Sequence, residues 1–480
     1  MNGDEALELA EERLLSAGLA ELALEPRAAL SPGWQAWLRV AMLLLGVTVV
    51  LGTAWYVRTD RDASATQALQ EPEPLPRPTR IEGRQALEQL LREAPGTRNL
   101  WAVVLPADLE LVGEFVHVER LLIEAQTPPA DGHAPAPGGW NLLPLTRLER
   151  LESVAIGYCE GVAVDEITRL AALPRLREFK LIGTVHTVDG AMGEALRGMS
   201  LQRVSLEAVR VTPAGLDALV AMLGLERLEF GSCVGLDECD LARLGSLKKL
   251  RVLHLRGVGG RLAAALATGV LQAGAPPRVL LTPAVMQALA KLPDLRELVL
   301  DSSSLDASVL AALPARLERL GLRECLVADE DDFRRCAELP QLRAVSCSVP
   351  ELLSREQAPD GFSRRQAAMC SLLDRQPLRE LRFLGTVTDA MAASLGQQLA
   401  LEEMDFQDTS QKDGLPLGLI ATLPKLRRLR LLFVDEKTDP APLAKLPKLQ
   451  RVELHEPTAA VLERFRLLLG DRVVVSSPDY

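Results

Sequence analysis

Aromatic residues are only 4% of the 480-residue chain, so it lacks the stacking platforms that hold single-stranded nucleic acid. Cations are also in deficit. Lysine and arginine number 54 against 65 acids, a net charge of −11, and no basic stripe stands out to meet a phosphate backbone. A nucleic-acid partner is therefore not expected. The five histidines (His117, His133, His186, His254, His455) are scattered, with no pair at metal-ligand spacing. The seven cysteines contain no C-x-x-C, and their odd count and uneven spacing fit neither a zinc site nor a disulfide framework. No G-x-S-x-G elbow or P-loop occurs. Gly257-Val258-Gly259-Gly260 is glycine-rich, but position 262 is leucine and a tight turn accounts for it. Paired acids such as Glu402-Glu403 and Asp331-Asp332 read as solvated surface. No cofactor, metal or catalytic constellation is expected, and the chain does not read as an enzyme.

What the chain does have is a recurring phrase, Leu-Pro-x-Leu-x-x-Leu-x-Leu. It begins at Leu173-Pro174, Leu292-Pro293, Leu423-Pro424 and Leu446-Pro447. With the last apolar residue of each x-L-x-L core as landmark, Ile156, Leu181, Leu206, Phe230 and Leu255 are spaced by 25, 25, 24 and 25 residues. Leu300, Leu322, Cys347, Phe383, Phe406, Leu431 and Leu454 follow with gaps of 22, 25, 36, 23, 25 and 23. A poorer copy ends near Leu281, and half-copies stand at Val118–Ile123 and Arg472–Val475. A period in the twenties means a solenoid.

Each unit reads as a short strand followed by a helix. The alternating L-x-L places its apolar residues on one side. Helical spacing then follows, as in Leu216, Leu219, Val220, Leu223 and in Met391, Leu395, Leu399. One unit cannot bury its apolar face alone, but stacked units form a single parallel sheet covered by their own helices. From about residue 100 to 480 the pattern resembles the leucine-rich repeat family. It comes nearest the cysteine-containing subclass of roughly 26 residues, L-x-x-L-x-L-x-x-C-x-x-(V/I)-T-D. Leu317 to Asp329 follows that pattern with Cys325 in its slot, and Leu378 to Asp389 follows it with Thr386 there. The resemblance implies an α/β leucine-rich repeat solenoid, with the parallel sheet on a concave face and helices on a convex one. It implies binding of a protein partner, whose identity the sequence does not disclose. The slot three residues past the landmark holds Cys159, Cys233 and Cys325, alternating with Thr184, Val209, Val258 and Val434. That is how cysteine behaves as a small buried residue.

The N-terminal part differs. Residues 1–33 carry seven acids against two arginines and form an acidic tail with leucines at roughly helical spacing. Val40–Val57 is uncharged for eighteen residues, with Trp34 and Trp37 before it and Trp55 and Tyr56 closing it. Residues 34–57 are thus expected to form a single transmembrane helix. Residues 58–81 are a linker with alternating prolines at 72, 74, 76 and 78. Residues 82–140 form an N-terminal cap with a helix from Arg84 to Glu93 and a first irregular repeat. Residues 141–480 form the solenoid and its C-terminal cap. Arginines near the span and unpaired cysteines lean toward a cytoplasmic repeat domain; the tail–span–spacer layout leans, slightly more, toward an extracytoplasmic one. Oligomeric state is undetermined.

A ligand would meet the non-leucine positions of the strands. The candidates are Lys180, Arg203, Arg227, Glu229, His254, Glu380, Arg382, Glu403, Asp405, Arg428, Arg430, Arg451 and Glu453. Such mixed charge suits a protein partner by complementarity, or else neutralises itself across adjacent strands. Two readings follow: a membrane-anchored, non-catalytic binding or scaffold module, or a transmembrane signalling protein whose acidic tail is the effector.

Overall fold

The strands run in chain order along the sheet because each repeat hands the chain to the next with the same bonds. The carbonyl of the residue before each strand accepts two N–H groups from the following repeat. Glu152 O takes those of Arg177 and Glu178, Arg177 O those of Gln202 and Arg203, and so on to Arg427 O. A computed structural model describes residues 79–126, 139–183, 186–236, 239–257, 281–305, 307–323, 325–327, 335–349, 367, 369–385, 389–407, 417–432 and 434–476. These belong to one structural unit, Pro76–Pro478. The acidic tail, the candidate transmembrane segment and most of the linker lie outside the described residues. Among the described residues no helix is long and apolar enough to cross a membrane.

Among the described residues, sixteen parallel strands form one sheet. They are β1 (Thr79–Glu82), β2 (Asn99–Val104), β3 (Arg120–Ala125), β4 (Ser153–Gly157), β5 (Glu178–Ile182), β7 (Arg203–Glu207), β9 (Arg227–Gly231) and β10 (Val252–Arg256). Then come β11 (Glu297–Val299), β13 (Arg319–Leu322), β15 (Ala344–Val349), β16 (Glu380–Gly385), β17 (Glu403–Gln407), β18 (Arg428–Leu432), β19 (Arg451–His455) and β20 (Val473–Ser476). Two short pairs lie outside it: β6 (Thr187–Val188) with β8 (Arg210–Val211), and β12 (Ser304–Leu305) with β14 (Leu326–Val327). The architecture is the leucine-rich repeat solenoid. The landmark residues and the leucines two before them point into one continuous core, whose phenylalanines 179, 230, 383 and 406 are fully buried. Phe383 and Phe406 meet across neighbouring strands with ring centroids 5.8 Å apart.

Four of the helices begin at a Thr or Asp that caps them. Asp189, Thr212, Thr282 and Thr458 each accept a hydrogen bond from the backbone N–H three residues on. Proline follows at Pro213 and Pro283, where a missing N–H costs nothing. The expected cap helix is present as Arg84–Glu93. Three details depart from the sequence reading. The sheet starts at Thr79, three residues inside the expected linker. β10 pairs directly with β11, so no strand stands between them in this sheet, and the copy ending near Leu281 lies, up to residue 280, outside the described residues. Leu223 and Leu399, read as helical core, lie past their helix ends and are exposed, because Pro213–Val220 and Asp389–Gly396 are each only two turns long.

Seven strands end in the same turn. Two residues past the landmark, Tyr158, Gly183, Ala208, Ser232, Gly257, Ser302 and Glu456 all have φ between 48° and 114°. The first four donate their N–H to the next strand's last carbonyl, as Ala208 does to Gly231 O, and Gly257 and Ser302 donate to carbonyls just past the next strand, Asp301 O and Arg323 O. An L-residue pays about 1–2 kcal/mol for that backbone, and the added ladder bond offsets it. The next residue is the cysteine slot. Cys233 Sγ donates to Leu206 O at 3.2 Å, Cys325 Sγ to Leu300 O at 3.1 Å, and Ser303 Oγ to Leu255 O at 3.3 Å. The slot is therefore a hydrogen-bonding position as well as a small one. Burial pushes the Cys159 thiol up to about 12 and raises that of Cys233, so both stay protonated donors.

Candidate binding face of the sheet

Outward side chains on a parallel sheet in register stand in straight ladders. The first runs Arg120, Ser153, Glu178, Arg203, Arg227, Val252, Glu297, Arg319, Ala344, Glu380, Glu403, Arg428, Arg451. The second runs Lys180, Ser205, Glu229, His254, Val299, Gly321, Ser346, Arg382, Asp405, Arg430, Glu453. All thirteen candidate residues therefore share one face.

They divide into two groups. Around β9 and β10, Arg227 pairs with Glu229, and Ser205 Oγ donates to Glu229 Oε2 at 3.0 Å. His254 Nδ1 lies 3.3 Å from Glu229 Oε1 and Nε2 lies 2.8 Å from Glu297 Oε1, while Arg256 donates to the same Nδ1. His254 is 1% exposed and Glu229 is buried, so neither offers an open surface to a partner. Burial alone would raise Glu229; His254, Arg227 and Lys180 outweigh it and hold the carboxyl at about 2. Burial likewise opposes ionisation of Glu297, and its bond to His254 with nearby Arg227 and Arg319 holds it at about 2. Glu207, in the third ladder, lies over Gly231, where a Cβ would collide with its carboxylate. Burial drives Glu207 up to about 7 and Glu229 adds to the rise, only partly opposed by Lys180.

The second group, β13 to β19, is more open. Arg319 reaches across Ala344 to grip Glu380 with two bonds of 2.6 and 2.7 Å. Glu403 pairs with Arg428 at 3.5 Å; Arg430 lies 3.6 Å from Asp405 and bonds Glu453 at 2.9 Å, and Arg451 bonds Glu453 at 2.6 Å. Burial raises the Asp405 carboxyl, against Arg430 and Arg382; Glu453 is held low by Arg430 and Arg451 despite its burial. Asp405 Oδ1 and Ser346 Oγ are buried with no hydrogen-bond partner among the described residues, on either side of Arg382 in the second ladder.

A further feature escaped the sequence reading. The N-terminal ends of all strands lie on one edge of the sheet, and arginine recurs there, at the first strand position or just before it. Arg98, Arg120, Arg177, Arg203, Arg227, Arg251, Arg296, Arg319, Arg343, Arg379, Arg427 and Arg451 supply it for β2, β3, β5, β7, β9, β10, β11, β13, β15, β16, β18 and β19. Glutamates are interleaved, yet the arginine is usually the outer partner: Arg98 is 62% exposed against 24% for Glu119, and Arg428 58% against 31% for Glu403. Arg177, Arg251, Arg343 and Arg379 are exposed and form no ion pair among the described residues. Diluted to one or two per 25 residues, these cations vanish into a net charge of −11; counting charge by repeat position reveals them.

No model of a known family matches the sequence, and no curated protein matches it. Solved structures that it resembles include an internalin (InlF) of Listeria monocytogenes, 14% identical over 83% of this chain and 94% of that one, TM-score 0.30. A leucine-rich repeat protein of Leptospira interrogans is 15% identical over 83% and 99%, TM-score 0.31. TLR13, solved in complex with ssRNA13, is 14% identical over 78% and 48%, TM-score 0.33. The fold assignment rests on this chain's own repeat and register, not on these alignments.

Proposed function

For a chain whose repeat and sixteen-stranded parallel sheet are those of the leucine-rich repeat proteins, we propose a membrane-anchored, non-catalytic protein-binding or scaffold module. The ligand is a protein that docks on the sheet face between β13 and β19. The observation that carries this is the pair of orphaned polar atoms, Asp405 Oδ1 and Ser346 Oγ, beside Arg382. Buried polar atoms are normally satisfied, and leaving one unpaired costs about 1–3 kcal/mol. An N–H donor on a partner would satisfy each of these two oxygens. The surrounding ion pairs hold the charged groups in fixed positions, which lowers the ordering cost of binding. The anchor is the uncharged stretch 40–57, and the repeats are extracytoplasmic.

The test is photo-crosslinking in intact cells from a reactive residue at Arg428, compared with one at exposed Leu223. A defined adduct from Arg428 that Asp405→Asn and Arg382→Ala each abolish supports the reading. Equal adducts from both positions, insensitive to those substitutions, sink it. Labelling of Ser64→Cys by a membrane-impermeant thiol reagent reports the side of the membrane. The signalling reading, with residues 1–33 as effector, is favoured if removing them ends cellular output while the adduct persists.

A further inference from the structure

We infer that the arginine-lined N-terminal edge of the sheet docks on the anionic headgroups of the bilayer in which the chain is anchored. The inference rests on the anchor proposed above and adds a second, electrostatic contact to it. Its basis is a coincidence of two features on one edge. All strands are parallel, so every strand begins on the same side. β1 begins there too, at Thr79, and pairs with β2 from its first residue. A chain arriving from residues 40–57 through residues 58–78 therefore joins the repeat unit on its arginine side. The attachment point and the cations face the same way.

The chemistry suits phosphate. Guanidinium presents paired donors that match a phosphodiester in two bonds, and it is less strongly hydrated than an ammonium. Arg177, Arg251, Arg343 and Arg379 are exposed and not ion-paired among the described residues. They recur along the sheet, so a flat array of headgroups can meet several at once. Anionic leaflets attract such juxtamembrane cations over about a Debye length. A bilayer is favoured over an acidic protein because the tether keeps it close: a chain of the length of residues 58–78 can reach no more than roughly 75 Å. That reach permits contact without forcing it, so the composition of the lipid decides.

The full chain is reconstituted in vesicles of phosphatidylcholine alone or with phosphatidylglycerol, a headgroup acceptor dye in both. Cys239→Ser and Cys370→Ser remove the two partly accessible thiols. A donor is placed at Gln450→Cys, on the N-terminal edge, or at Glu160→Cys, beyond the far end of β4. Energy transfer from position 450 should rise at least twofold in the anionic vesicles while transfer from position 160 does not. The rise should vanish on replacing the four unpaired arginines by glutamine and survive their replacement by lysine. Equal transfer in the two lipids overturns the inference, as does a rise that persists in the glutamine variant. Transfer insensitive to lipid but shifted by poly-glutamate assigns the edge to an acidic protein segment instead. Release of the chain by alkaline carbonate overturns the anchor itself, a failure visible before any transfer is read.

Discussion

Glu207 shows how one side chain can work against the fold. Its carboxyl titrates near pH 7 in the folded chain against about 4.5 unfolded, because burial opposes the charge. Between those values the folded state holds a proton that the unfolded state has lost, so this residue's contribution to stability declines as pH rises from about 4.5 to 7. Glu207→Gln should leave stability at pH 5 nearly unchanged and raise it at pH 8 by up to about 3 kcal/mol, which urea unfolding at the two pH values would read. Glu229 and Glu297 have the opposite sign: held near 2, they stabilise the fold above about pH 4.5 and lose that effect as pH falls toward 2. Next to Glu207, Ala208 carries a φ of 53°. Ala208→Gly should not destabilise, whereas Ala208→Val should cost more than about 1 kcal/mol, since a β-branched residue fits that backbone worst. Melting temperatures of the pair decide it. None of this was legible in the sequence, where position 208 holds an ordinary alanine and the repeat's turn is occupied by Tyr, Gly, Ala, Ser and Glu alike.

At the scale of the element, the strands were legible and the helices less so. Leucine alternation fixes which face of a strand is inward, and a period near 25 fixes register. The stretch covering the sheet holds longer helices such as Gly190–Arg197 but also single 3₁₀ segments such as Leu241–Ser246 and Ala441–Lys445. Apolar spacing runs on past the point where Pro213–Val220 and Asp389–Gly396 stop, so Leu223 and Leu399 carry the helical pattern yet lie beyond the helices. The candidate residues stand in register on one face of the sheet. Their burial was not foreseeable, because it depends on how far a neighbour's side chain leans. The Arg319–Glu380 pair exists only because the intervening strand contributes Ala344 to that ladder. Ala344→Leu should block the reach and destabilise the domain by about 1–2 kcal/mol. In a double-mutant cycle with Glu380→Gln, the coupling to Arg319 should fall to near zero.

For the whole molecule, each repeat contacts only its neighbours, so the two ends matter most. The C-terminal helix Ala459–Leu469 buries Val461, Phe465 and Leu469 against the last repeats but leaves Leu467 84% exposed. Removing residues 457–480 should lower the melting temperature and increase binding of a hydrophobic dye, with amide exchange accelerating first in β19 and then in β18. An unchanged exchange profile would mean that the repeats hold without this cap. At the opposite end β1 has its own consequence. A pull on the chain at residue 78, directed away from the N-terminal edge, runs along the axis of β1. Its bonds to β2, from Thr79 to Glu82, then resist together in shear instead of opening one at a time like a zipper. The first strand is therefore a mechanical clamp, set where tension from outside would reach the domain.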